Sequence, residues 1–96
     1  MPPASLPEHV DYTFDARYHV GDDGEVVFPF SRRDLVIQRL EFAPQPSSES
    51  FVDGTRLLRY APGTEVRARG ALRAYPRTDG SMPTLTELLP GAELQR

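Results

Sequence analysis

The 96-residue chain has no cysteine, no tryptophan, no lysine and no asparagine, and isoleucine occurs once, as Ile37. Without cysteine there is no disulfide framework and no thiolate metal site, so a hydrophobic core must hold the fold by itself. No run approaches the roughly 18 apolar residues of a membrane-spanning helix. The first residues, Met1 to Pro7, lack the basic start and apolar stretch of a secretory leader. A cytoplasmic location is the expectation that follows. All eleven basic side chains are arginine. With residues of AT-rich codons missing, this bias points to a GC-rich, bacterial genome, so arginine informs on function only through its position.

Composition is that of a folded domain, with 39% apolar and 26% charged residues. The length allows one core and not two. We therefore expect a single domain over residues 9–91, with flexible tails at 1–8 and 92–96. The formal charge of −3 hides an asymmetry. Residues 1–53 carry four arginines against ten acids, and residues 54–96 carry seven against four. Opposite signs in the two halves suggest an oriented surface.

Alternation dominates the pattern. From Val10 to Val20, every second residue (Val10, Tyr12, Phe14, Ala16, Tyr18, Val20) is apolar and the intervening ones are polar, which describes a half-buried strand. Gly21-Asp22-Asp23-Gly24 reads as a tight reversal, with Glu25 to Phe30 returning as the second arm of a hairpin. Pro29 places that arm at a sheet edge or at a bend. Residues 31–43 carry conflicting signals. Ser31 and Asp34 resemble a helix cap, giving an α+β alternative with a helix at about 32–43, but Leu35-Val36-Ile37 and the alternation at Arg39-Leu40-Glu41-Phe42 favour a strand. The segment 43–50 reads as an exposed loop, and Ser48 to Tyr60 as a hairpin around Asp53-Gly54, with a strand or a short connecting turn of helix fitting Leu57, Leu58 and Tyr60. Pro62-Gly63 suits a type II turn. Alternation resumes from Thr64 to Tyr75, Thr78 to Ser81 makes a further turn, and Thr84 to Leu89 reads as a last short strand. The fold expected is all-β: a small five- or six-stranded antiparallel barrel, with a β-sandwich as the alternative.

Side chains two apart on a strand share a face, so Arg67, Arg69 and Arg73 project together with Tyr75, and Arg77 extends the row. Guanidinium groups grip phosphates bidentately and a tyrosine ring stacks on a base, so the row suits single-stranded nucleic acid. A solvated face on which the arginines pair with Asp11, Asp15 or Glu41 is the competing reading. Tyr12, Phe14, Tyr18, Phe28, Phe30, Phe42, Phe51 and Tyr60 are assigned to the core. His19, near Asp15, Asp22 and Asp23, lacks the partners of a zinc or calcium site or of a hydrolase. No phosphate-cradling glycine loop and no nucleophile elbow is present. No catalysis and no cofactor are expected.

The stretch Pro62-Gly63-Thr64-Glu65-Val66-Arg67-Ala68-Arg69-Gly70-Ala71-Leu72-Arg73, followed by a turn and Thr84-Leu85-Thr86-Glu87-Leu88-Leu89, resembles the end of an OB-fold domain. There, a G-x-x-V-x-x-x-G strand precedes a hairpin and a closing strand. The resemblance implies an oligonucleotide, oligosaccharide or protein ligand. It would put Arg73, Tyr75, Arg77 and the turn at 78–82 at a ligand-binding loop. Two functions are carried forward: a single-stranded nucleic acid binding module using Arg67, Arg69, Arg73, Tyr75 and Arg77, and a protein-interaction or self-assembly domain using a strand edge.

Overall fold

The structure, a computed structural model, describes residues 8–94. Apart from Glu8, the tail expected at residues 1–8 lies outside them. Seven strands and one short helix follow in order: β1 (Val10–His19), β2 (Glu25–Pro29), β3 (Leu35–Ala43), β4 (Ser48–Val52), β5 (Thr55–Arg59), β6 (Glu65–Ala74), α1 (Leu85–Leu88) and β7 (Glu93–Leu94). They form two antiparallel sheets, A in the order β3-β6-β1-β7 and B in the order β2-β5-β4. The all-β expectation holds. Among the described residues the sheets do not close into a barrel, because no ladder there joins β3 to β4 or β2 to β7.

The expected hairpin of residues 10–20 with 25–30 does not form. β1 and β2 belong to different sheets, and β1 pairs with β6 along its whole length, Val10 opposite Ala74 and His19 opposite Glu65. β2 pairs instead with β5. The two reversals, residues 20–24 and 60–64, run side by side. Val20 N–H donates to the Thr64 carbonyl at 2.9 Å, Gly63 N–H to Val20 at 2.8 Å and Tyr60 N–H to Gly24 at 2.9 Å. One long two-stranded ribbon is thereby folded over on itself, each arm entering a different sheet. Gly24 suits this crossing: its φ is +69°, and a Cβ there would stand 2.9 Å from the Tyr60 carbonyl oxygen. Pro62-Gly63 forms its expected turn, with Gly63 at φ +85° and Thr64 N–H donating to Ala61.

Residues 35–43 are a strand, which removes the alternative helix at 32–43. The mixed signal there has a geometric cause. Ile37 faces Leu72 and Arg39 faces Ala71, so Gln38 is the extra residue of a β-bulge, and the alternation changes phase at that point. Thr84–Leu89, expected as a strand, is helical at Leu85–Leu88, with the Thr84 hydroxyl accepting from Glu87 N–H as an N-cap. Ordered chain continues past the expected end at 91, since Glu93–Leu94 add to β1 at Ala16 and Arg17. Gly70 meets the bulge. A Cβ on it would lie 2.0 Å from the Arg39 carbonyl oxygen, so the mid-strand glycine admits the β3 backbone.

The core lies between the sheets. Phe14, Tyr18, Phe28, Phe42 and Tyr60 are buried as expected, and Tyr12 packs partly against them. Phe30 and Phe51 contradict the core assignment, being 38% and 59% exposed. Their parity is that of Phe28, but they lie where sheet B runs beyond the cover of sheet A. Burial pushes the Tyr18 hydroxyl pKa up, and among the described residues that hydroxyl has no hydrogen-bond partner.

A candidate interaction surface

The outer face of sheet A carries the predicted arginine row. Arg67, Arg69 and Arg73 alternate with the buried Val66, Ala68 and Leu72 and so do share one face. The register of β6 against β1 then sets their partners. Arg73 lies opposite Asp11 and forks onto its carboxylate with bonds of 2.7 and 3.3 Å. Arg67 does the same to Asp15, at 2.9 and 2.6 Å. Arg69 stands between Asp15 on β1 and Glu41 on β3 and has no ion pair within 4.0 Å among the described residues. Arg77 leaves the row and bonds the Glu87 carboxylate of α1. It lines a broad depression of about 650 Å³ with Arg32, Arg33 and Asp34. Tyr75 is half-buried, its ring edge-on to His9 at 5.9 Å.

The face as a whole is balanced: arginines 17, 39, 67, 69 and 73 share it with the acids 11, 15, 41, 65 and 93. His19 bonds Glu65 at 2.6 Å on the exposed surface. Among the described residues no group of three His, Cys, Asp or Glu could hold a metal ion, and no helix is long and apolar enough to cross a membrane.

Hydrogen bonds from Arg73, Arg67 and Arg77 hold the Asp11, Asp15 and Glu87 carboxyls below their ordinary pKa values. A depressed folded-state pKa contributes stability above the unfolded-state value and loses it as the pH falls through the folded one. Loss of the three pairs should therefore weaken the fold on acidification below the ordinary values of 4.5 for Glu87 and 3.8 for Asp11 and Asp15. Stability should be unchanged around neutrality. Urea unfolding followed from pH 7 to pH 2 checks this: the Asp11→Asn, Asp15→Asn double variant should lose less stability over the acid limb than the parent.

The end of sheet B near Asp53-Gly54 is different. Phe30, just beyond β2, Arg56 on the central β5 and Phe51 on β4 form one cluster across its face. The two rings meet edge-to-face at 5.0 Å, and the Arg56 guanidinium stands 5.2 Å from the Phe30 centroid and 5.6 Å from that of Phe51. Arg56 also bonds Glu49 at 3.0 Å, while its Nε is buried with no partner among the described residues. The cause is the two-residue turn at Asp53-Gly54, which sets Phe51 directly opposite Arg56. Beside the cluster, between β3 and the β4–β5 hairpin, lies a groove of about 370 Å³ lined by residues that include Ile37, Leu40, Phe42, Gln45, Glu49 and Arg56. It occupies the seam left open between the sheets. Val52, also on β4, is 52% exposed. The hairpin register from Ser48 to Tyr60 was enough to pair Phe51 with Arg56, but not to show that sheet A stops short of them.

No protein-family model matches the chain, and no curated protein and no solved structure matches it at a significant level.

Proposed function

We propose that this domain is a non-catalytic protein-interaction module that docks an extended polypeptide segment along the β4 edge of sheet B. The observation that carries the reading is that the unpaired β4 edge exposes Phe51 and Val52, with the Phe51 ring anchoring a cluster that runs across the sheet face through Arg56 to Phe30. Aromatic and arginine side chains dominate the energetics of protein interfaces, and an unpaired strand supplies main-chain donors and acceptors for an added strand. The arginines of sheet A favour nucleic acid less. Arg67 and Arg73 would have to exchange Asp15 and Asp11 for phosphate, and a face of balanced charge releases few counterions on binding. Arg17, Arg39 and Arg69 alone would carry a single-strand reading.

A displayed library of random extended peptides, selected on the immobilised domain, tests the docking reading. Alternating apolar sequences should be enriched, and their binding should fall at least about tenfold on a folded Phe51→Glu variant, the loss of one hot-spot contact. A selection that yields no binder sensitive to Phe51→Glu overturns the reading.

A further inference from the structure

Resting on that edge-docking reading, we propose that the occupant of the β4 edge is a second copy of this chain, paired antiparallel about a two-fold axis beside Ser50. Sheet A ends on one side in β3, whose edge is bulged at Gln38, and on the other in the two-residue β7 over Ala16 and Arg17 and in β1 itself over Val10–Asp15, a stretch that carries the charged Asp11 and Asp15. Sheet B ends in β2, which carries Pro29 and shares a small cleft with Glu87, Leu88 and Pro90 at α1. Bulges, short strands, proline and a covering helix are the usual devices that block edge pairing. β4 has no bulge, proline or helix along Ser48–Val52, and it exposes Phe51 and Val52.

The backbone and the charges then select one register. A two-residue turn at Asp53-Gly54 makes Val52 and Thr55 a hydrogen-bonded pair. Such pairs alternate along an antiparallel ladder, so Ser50 and Ser48 also turn their amides towards β5. The amides and carbonyls of Glu49 and Phe51 face outward, and any added strand must bond to these two residues. For two identical strands this leaves three antiparallel registers. Glu49 opposite Glu49 sets like charges against each other. Phe51 opposite Phe51 brings Glu49 opposite Asp53 and repels in the same way. Glu49 opposite Phe51, in both directions, has no like charge facing another. In that arrangement Ser50 faces Ser50, and each Phe51 ring lies beside the Glu49–Arg56 ion pair of the other copy. The sheets join as β2-β5-β4-β4-β5-β2. Five paired residues bury less than a standard permanent interface, so the dimer depends on concentration.

The experiment uses the full chain in sedimentation equilibrium. The parent should shift from monomer to dimer as concentration rises. Phe51→Glu, a change at an exposed side chain, should weaken dimerisation at least about tenfold, and the Glu49→Lys, Phe51→Glu double variant should restore it by placing opposite charges across the axis. A covalent readout is independent of these variants, since the chain has no cysteine of its own. Under mild oxidation by dissolved oxygen, Ser50→Cys should form an intermolecular disulfide at least about tenfold faster than Ser48→Cys, whose partner across the axis is Val52. A monomer at all concentrations up to about 1 mM, or equal cross-linking of the two cysteine variants, overturns self-pairing. If the chain stays monomeric and the peptide library still yields binders sensitive to Phe51→Glu, only self-pairing falls. If neither binds, the edge-docking reading falls with it.

Discussion

Gly70→Ala should destabilise the domain by about 3 kcal/mol or more, the upper end of the cost of overpacking. The added methyl would stand 2.0 Å from the Arg39 carbonyl oxygen and 2.8 Å from its carbonyl carbon. Both are backbone atoms, so no side chain can swing aside to make room. Either β3 moves off β6, breaking a ladder that runs from Leu35 to Ala43, or the bulge rearranges. Equilibrium urea unfolding gives the magnitude. Deleting Gln38 supplies the mechanistic control: without the extra residue the Arg39 carbonyl is no longer driven towards β6. Gly70→Ala should then cost clearly less in the deletion background than in the parent, a coupling that independent sites do not show. Equal cost in the two backgrounds would refute the role assigned to the bulge.

Phe28→Ala should cost about 3–5 kcal/mol, the range for large aromatic truncations in a core. In a domain at the lower end of ordinary stability, about 5 kcal/mol, that is enough to leave an appreciable unfolded fraction. Phe28 is fully buried and is the side chain through which sheet B meets the aromatics of sheet A. Its ring lies 6.1 Å from Phe14, 6.2 Å from Tyr18 and 5.2 Å from Phe42, the last at 89°. Truncation would remove contacts to two strands of the opposite sheet at once. Phe28→Leu, which keeps most of the volume, should cost much less. Thermal unfolding of the two variants separates the effect of the cavity from that of the lost ring geometry, and similar losses for both would show that the edge-to-face contact outweighs the volume.

Strand identity was largely legible because period-two alternation is a local property. Residues 10–20 and 64–75 show it plainly, and they became the two long paired strands β1 and β6. Partnership was not legible in the same way. Gly21-Asp22-Asp23-Gly24 has the same composition whether the chain turns back on itself or crosses to another sheet, and the choice was made by β5 and β6, some 40 residues on. In the last segment, Leu85, Leu88 and Leu89 stand three and four apart behind a Thr84 cap, a helical spacing obscured by the β-rich context. For the arginine row, the shared face was readable and the neutralisation was not. Asp11 and Arg73 are 62 positions apart, and only the register of β1 on β6 brings them together. Phe51 was misread for a related reason: alternation gives the face of a strand, but not how far the opposite sheet extends over it.

The folded-over ribbon also constrains the order in which the chain can assemble. Sheet A unites the beginning of the chain with its last third, a closure with a large entropic cost that delays it. The β4–β5 hairpin, bridged by two residues, needs no such search and can form early. During refolding at high concentration, the outer side of β4 would therefore be available to a neighbouring molecule before β1 and β6 have paired, and intermolecular pairing would compete with completion of the monomer.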